Sequence, residues 1–463
     1  MIPLTVAQIA RITGGTPDRV ADPRALVSGP VVIDSRQVAP GGLFAALRGE
    51  RADGHDFAGQ AIAAGAVVML GSRPAGVPAI LVPDVPAALA RLARAVVDRL
   101  DGLTIAGITG SAGKTTTKDL AGQLLSALGP TVWPHNSFNN EIGHPLTVLR
   151  AQERTRYLVT ELSARGPGHI AALCEVAPPR LGVVLCVGHA HVGEFGSIDR
   201  VAAAKGELPA ALPADGVAVL NADDPRVRDM AKVTAARVLT FGRRAGADVR
   251  ALDVRLDRLG RPSFTLATPA GSARVRLRLH GEHNVTNALA AAALAGELGM
   301  GPAAAAEVLS AAAPLSKWRM EVTERPDGVI VVNDAYNASP EAMTAALDAV
   351  RVMAAGRRAF AVLGRMAELG ERSRELHEAV GAAAARAGLA GIIAVGDDAA
   401  PILAGAKSQP GGCGELCAVP DASAALAALE QRLRPGDVVL VKASRAAGLE
   451  SVALALAGQE ARS

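Results

Sequence analysis

The sequence predicts an α/β protein of three domains. Short β-branched runs alternate with Ala-rich helical stretches almost throughout, the pattern of mostly parallel sheets. The length, 463 residues, suggests about three units at roughly 100–200 residues each. A glycine-rich turn between a strand and a helix closes on Gly-Lys-Thr at residues 113–115, the form of a phosphate-cradling loop.

The elements follow in chain order. Residues 1–101 are expected to form a small α/β domain, with strands at 31–33, 43–47, 66–70 and 79–82 and a closing helix from about 85 to 100. The first ten residues read as a strand or turn leading into a helix. No basic stretch precedes an apolar one, so they do not read as a signal peptide. Asp101-Gly102 marks the boundary. Residues 102–316 are expected to form a central domain with parallel strands at 103–108, 157–161, 181–187 and 217–220. Segments 249–257, 263–268 and 273–279 alternate apolar and polar residues with turn residues between them, and read as an antiparallel excursion. A helix at 284–298 is expected to end this domain, with a connector near 313–318. Residues 317–463 carry strands at 329–333, 359–363, 391–395 and 437–442 with helices between, a Rossmann-like, doubly wound pattern.

Composition narrows the function. Half of the residues are hydrophobic and only 2% are aromatic, so Ala, Val and Leu must fill the core, and stacking on single-stranded nucleic acid is disfavoured. The net charge is +3 with no long basic run, so nucleic acid is not an expected partner. Apolar runs are too short to span a bilayer, and membrane insertion is not expected. Cys174, Cys186, Cys413 and Cys417 make no disulfide framework, which fits a reducing cytoplasm. Cys413 and Cys417 sit in a Gly-rich loop without a nearby Cys/His pair, and read as free thiols rather than half of a metal site.

The loop at residues 107–115 carries the chemistry. Gly107, Gly110 and Gly113 let backbone N–H groups of the Ser111–Ala112 turn converge on phosphate oxygens. Lys114 supplies a cation to the outer phosphates, and Thr115 a hydroxyl for Mg²⁺. The helix that begins there adds its dipole, next to Thr116. The spacing between Gly107 and Gly113 is one residue longer than in the standard pattern, with Gly110 inside it. A P-loop alone does not name a reaction.

Further segments make the chain resemble one family, the Mur ligases. They are Gly110-Ser-Ala-Gly-Lys-Thr115, Asn136-Ser-Phe-Asn-Asn-Glu-Ile-Gly143, His191-Val-Gly-Glu-Phe-Gly-Ser197, Ala204-Lys-Gly-Glu207, His283-Asn-Val-Thr-Asn287, Asn333-Asp-Ala-Tyr-Asn-Ala-Ser-Pro340 and Met366-Ala-Glu-Leu-Gly370. Each is weak alone, but together and in this order they are specific, and the resemblance covers nearly the whole chain. It is closest to the branch that adds D-alanyl-D-alanine. No Asp-Asn-Pro-Arg stretch, the mark of the diamino-acid-adding branch, is found.

The resemblance implies a UDP-substrate domain, a central P-loop ATPase domain and a C-terminal Rossmann-like domain. It implies ligation of D-alanyl-D-alanine to UDP-N-acetylmuramoyl-tripeptide through an acyl phosphate, with ATP and two Mg²⁺, in a monomeric cytoplasmic enzyme. Glu161 and Thr115 would hold one Mg²⁺. His191 and a carbamylated Lys205 would serve the second, the carbamate turning a cation into a two-oxygen anion. Asn284 and Asn287 would touch ATP, and Asp334, Tyr336 and Asn337 its base and ribose. Arg319 would bring charge to the γ-phosphate. Ser35 and Arg36 would bind the UDP part, Asn139 and Asn140 face substrate, and Arg445 sits near the incoming dipeptide. Trp318 stands where relatives usually carry Gly, and Arg365 where most carry an acid, so Arg365 is given no role. His189 reads as a loop histidine. Two alternatives stay open: a sister ligase with another amine, and a P-loop regulatory or transport ATPase that needs no amine.

Overall fold

A computed structural model describes residues 1–49, 52–410 and 414–459. The chain forms three α/β domains, each around its own sheet, as expected. The first sheet runs in the order Thr16–Asp18, Ala79–Leu81, Val68–Gly71, Leu43–Ala45, Val31–Val32, parallel except for its first strand. A two-stranded antiparallel ladder, Leu4–Thr5 with Leu26–Val27, precedes it. The expected turn into a helix is Thr5, whose side chain caps Val6–Thr13 in a reciprocal capping box with Gln8.

The central sheet has nine strands, in the order Gly271–Arg276, Pro262–Thr268, Val249–Leu256, Arg237–Gly242, Val217–Asn221, Leu181–Val184, Thr104–Thr109, Tyr157–Glu161, Thr131–Val132. The excursion is antiparallel as read from the sequence. It does not stand apart, because Val249–Leu256 joins Arg237–Gly242 in parallel and lengthens the main sheet. In the edge strand and the residues after it, Arg274, Arg276 and Arg278 point to solvent while Val275, Leu277 and Leu279 are buried. The third sheet runs Glu321–Glu324, Ile330–Asp334, Val438–Lys442, Ala359–Leu363, Gly391–Val395, Glu415–Val419, with only the first pair antiparallel.

Several expectations need correction. The strand expected at 181–187 stops at Val184, because the chain leaves the sheet there to pass the P-loop, where Ser111 N–H bonds to the Cys186 carbonyl at 2.9 Å. The helix Asn284–Glu297 does not end the central domain, since Pro302–Ala311 follows and covers the inner side of the excursion. Short edge strands at Thr16–Asp18, Thr131–Val132, Glu321–Glu324 and Glu415–Val419 were not expected, because two to five residues carry too little periodicity to register. Arg237–Gly242 was also missed, although it alternates in burial. Cys174, Cys186 and Cys417 are free thiols; Cys413 lies outside the described residues. Among the described residues no helix is long and apolar enough to cross a membrane.

The central strand Thr104–Thr109 lies between Leu181–Val184 and Tyr157–Glu161. Its neighbours come from opposite directions in the strand order, so its C-terminal end is a topological switch point, where open α/β sheets bind ligands. The P-loop helix Lys114–Ser126 starts there, with Gly113 as a left-handed N-cap at φ 82°. A side chain at Gly113 would collide with Asn287, so glycine is required both by conformation and by space. The Ala-rich helix Asn284–Glu297 is buried on nearly all sides. Its small side chains bring Asn284 and Asn287 close behind the loop.

His144, in the helix Gly143–Val148, is 1% exposed, and neither ring nitrogen has a hydrogen-bond partner. Burial pushes its pKa down to about 4, opposed weakly by the Leu173 backbone. The folded state therefore holds His144 neutral, and its contribution is intact above the unfolded value near 6.5. Between that value and about 4 it is lost as pH falls, by roughly 3 kcal/mol in all. Urea midpoints measured from pH 7.5 down to about 4.5 should fall in the wild type, and fall less steeply in His144→Val.

Candidate active site

The P-loop closes on itself through short bonds. Lys114 Nζ donates to the Gly110 carbonyl at 2.7 Å. Ser111 Oγ donates to the Gly188 carbonyl at 3.2 Å, and Gly188 N–H donates to Ser111 Oγ at 2.8 Å. Ala112 and Gly113 complete the turn, and Thr116 follows Thr115 on the first turn of the helix. Thr117 Oγ1 donates to Asn287 Oδ1 at 3.3 Å, and Asn287 Nδ2 donates to Asn284 Oδ1 at 2.8 Å. The segment at 283–287 thus stands directly behind the phosphate loop.

Thr115 is the junction of the site. Its Oγ1 lies 3.1 Å from Ser137 Oγ and 3.3 Å from Glu161 Oε1. Glu161 ends a buried strand and also accepts from Asn139 Nδ2 at 2.7 Å. Its other oxygen, Oε2, is buried without a partner. A buried carboxylate oxygen left free beside a threonine hydroxyl fits a hard cation that takes oxygen ligands and keeps several waters. Among the described residues no three His, Cys, Asp or Glu side chains converge as a metal cluster. Asn140 is used differently: its Oδ1 accepts from Gly143 N–H at 2.9 Å and turns the loop into the next helix.

Lys205 is not the solvated helix lysine that composition alone suggests. It is 4% exposed in the helix Ile198–Ala210. Burial, with the nearby charge of Lys114, lowers its pKa to about 7. Burial likewise lowers Lys114, with Glu161 opposing and Arg319 adding to the shift. A buried lysine with a pKa of about 7 has roughly half of its amine neutral at pH 7, the form that can take up CO₂, so the residue present fits a carbamate. His191, at φ 63°, precedes the short helix Val192–Phe195. Its Nδ1 is paired with Glu368, which comes from the third domain. Burial and the charge of Lys114 lower its pKa against the pull of Glu368.

The third domain meets this edge at several points. Arg319 donates to Ser137 Oγ at 3.0 Å, and its guanidinium lies 4.3 Å from the Tyr336 ring centroid. Asp334 accepts from Met320 N–H at 3.0 Å and from Lys442 Nζ at 2.6 Å. Lys442 also donates to the Asn337 carbonyl at 2.8 Å. Trp318 keeps a left-handed backbone, φ 57°, at the position where a glycine is usual. Arg445 stacks on its ring at 4.3 Å and pairs with Glu450. His189, which had no expected role, bonds to Glu341 through its backbone N–H at 2.8 Å and its ring at 2.7 Å. Glu341 sits in the first turn of the helix Pro340–Ala354, capped by Ser339.

The structure therefore gathers the P-loop, Thr115, Glu161, Asn139, Lys205, His191, Asn284, Asn287, Arg319 and Tyr336 at one sheet edge. Ser35 and Arg36 make their side-chain bonds within the first domain, Ser35 to Gln60 at 3.1 Å and Arg36 to Asp34 at 2.8 Å. Arg365 pairs with Asp398 at 3.1 Å. Sequence reasoning missed Ser137, although it lies inside a quoted segment, and Glu341 and Glu368, whose partners are more than 150 residues away. No local signal could have joined them.

Known proteins resemble this chain along its whole length. Family models match in three consecutive stretches: the Mur ligase family catalytic domain over residues 30–97, the Mur ligase middle domain over 108–295 and the Mur ligase glutamate ligase domain over 318–445. The UDP-N-acetylmuramoyl-tripeptide–D-alanyl-D-alanine ligase of Mycobacterium tuberculosis is 51% identical, covering 99% of both chains. Its Escherichia coli counterpart is 37% identical, covering 98% of this chain and 99% of its own. Among solved structures, MurF of Acinetobacter baumannii superposes with a TM-score of 0.87 at 31% identity, covering 99% of both chains. MurF ligase of Thermotoga maritima in complex with ADP gives 0.79 at 31% identity, over 94% of this chain and 98% of that one. Matched along its whole length and in all three domains, the chain belongs to the Mur ligase family.

Proposed function

We propose that this chain is an ATP-dependent, ADP-forming ligase that joins D-alanyl-D-alanine to UDP-N-acetylmuramoyl-tripeptide in peptidoglycan precursor synthesis. The observation that carries the reading is the junction at Thr115, where the P-loop, the free oxygen of Glu161 and Arg319 from the third domain meet. The named activity of the full-length relatives supplies the substrates. In this reading residues 1–101 bind the UDP-sugar, with Ser35 and Arg36 as donors. Residues 102–316 bind ATP, and residues 317–463 close over it and receive the dipeptide near Arg445.

ATP supplies a γ-phosphoryl group to the tripeptide carboxylate, which turns an oxide leaving group into phosphate. Lys114 and the loop N–H groups of Gly110, Ala112 and Gly113 hold the phosphate oxygens, the Ser111 N–H being committed to the Cys186 carbonyl, and Thr116 adds a further donor. Thr115 and Glu161 would hold one Mg²⁺, which would supply neutralising charge to the phosphates; His191 and Lys205, once carbamylated, would serve a second. Asn284, Asn287, Asp334, Tyr336 and Asn337 orient the nucleotide. Asn139 and Asn140 line the approach of the acyl group. Arg319 meets the anionic charge that builds on the transferred group. The dipeptide amine then forms the C–N bond, phosphate leaves, and the amine loses its proton. Because the substrates are held by different domains, closure brings them together and keeps water from the activated carboxyl.

Phosphate release should require tripeptide substrate and dipeptide together, and mass spectrometry should find the ligated product. Release with neither present, or ligation of a diamino acid instead, would redirect the reading. Lys114→Met should lower kcat/KM by roughly 100-fold or more, with the fold retained by circular dichroism. For Lys205, ¹³C-labelled bicarbonate should give a carbamate signal by NMR that Lys205→Ala abolishes. Because the neutral amine is the reactive form, that signal should shrink as pH falls below about 7 at fixed dissolved CO₂.

A further inference from the structure

One turn along the P-loop helix from Lys114 and Thr115 lies a buried ion pair that the reaction does not use. Lys118 is 1% exposed and Asp119 5%, and their charged groups meet at 2.6 Å. Each partner reaches a different segment. Lys118 Nζ donates to the Pro134 carbonyl at 2.7 Å. Asp119 Oδ2 accepts from Ser316 Oγ at 2.5 Å. One turn further along the helix, Gln123 bonds to the backbone of Ala313 in both directions, at 3.2 and 3.0 Å. The connector into the third domain is thus fastened to the P-loop helix up to Ser316.

The two arms have equal length. Pro134 lies three residues before Ser137, and Ser316 three residues before Arg319. Their ends meet, because Arg319 donates to Ser137 Oγ at 3.0 Å, next to Thr115 Oγ1. The contacts form a closed ring: Lys118, Pro134, the loop to Ser137, Arg319, the connector back to Ser316, then Asp119. Beyond Ser316 the backbone turns sharply, with Trp318 and Met320 both left-handed at φ 57° and 51°. A bond at the base of the ring therefore limits where the guanidinium at its apex can sit.

We propose that Lys118, Asp119 and Ser316 are positioning residues that set the Arg319 guanidinium over the Thr115 side of the phosphate loop, so that it meets the transferred phosphoryl group. This rests on the ligase reading above and adds a residue set to it. Burial of a charged pair is costly unless both partners are fully bonded. Here each partner makes one further hydrogen bond beyond the pair, and each of those bonds goes to a different arm of the ring. A pair needed only to fill the core would not have to reach both segments that carry the site.

Ser316→Ala tests this with little risk to folding, since Ser316 is half-buried and the ion pair stays intact. The full-length protein is assayed for ligation with saturating substrates. We expect kcat to fall roughly ten-fold with the KM for ATP changed less than about two-fold, because the loss is in the transition state rather than in nucleotide binding. Ser316→Thr, which keeps the hydroxyl, should recover kcat to within roughly three-fold of wild type. In an Arg319→Lys background, Ser316→Ala should cost less than about two-fold, because the residue through which it acts is already altered. A kcat loss below about three-fold in the wild-type background, or the same loss in both backgrounds, overturns the proposal. Wild-type turnover with an unaffected Ser316→Ala overturns this proposal alone; a wild type that does not ligate overturns the ligase reading with it.

Discussion

The hydrogen bond from Arg319 to Ser137 is the constraint on which the site depends. It joins the third domain to the loop that flanks Thr115, and so joins closure to chemistry. Without that contact no side chain of the third domain's Trp318–Met320 turn would reach the loop that flanks Thr115. The cation–π contact with Tyr336 and the bond from Met320 to Asp334 hold the arginine from the other side. The second line of contact, His189 with Glu341 and His191 with Glu368, runs along the same domain boundary. The two domains therefore meet through these charged and hydrogen-bonded contacts together with Val192 and Leu259, which pack against the third domain's core. Such an interface can open without exposing a large hydrophobic face.

The electrostatics at this edge favour anions before any ligand is considered. Lys114 and Lys205 are both desolvated, Arg319 adds to the shift at Lys114, and Lys114 adds to the shift at Lys205. Glu161 is the carboxylate that opposes them at Lys114. Cations enclosed together raise one another's cost, and a polyphosphate relieves it. The same crowding holds Lys205 close to neutrality, which no isolated surface lysine shows.

Much of this was legible in the chain, for identifiable reasons. The parallel strands of the central and third sheets are buried on both faces, so they appear as β-branched runs. The P-loop appears because its glycines, Lys114 and Thr115 are contiguous. Glu161 was legible as the acid that ends a strand. What was not legible depends on distance along the chain. Composition alone makes Lys205 a solvated lysine, because burial arises from how its helix packs on the sheet. Ser137 sits in a recognisable segment, yet its importance comes from a partner 182 residues away. Glu341 is ordinary in sequence, and Glu368 sits in the quoted segment 366–370, yet each takes its importance from a partner more than 150 residues away. Strands of two to five residues at the sheet edges, such as Thr131–Val132 and Glu415–Val419, carry too little periodicity to be read.

One feature of the fold bears on how the molecule behaves in company. The central sheet ends on Gly271–Arg276, an edge strand with no strand beyond it, whose Arg276 N–H is taken by Ser310 Oγ of the helix Pro302–Ala311 at 3.0 Å. Such an edge invites a strand from another molecule. Two copies meeting there would bring Arg274, Arg276 and Arg278 of each against those of the other, with no acid in the strand to offset them. The repulsion acts before backbone pairing can begin. The exposed arginines thus set like charge against like charge wherever two such edges approach one another.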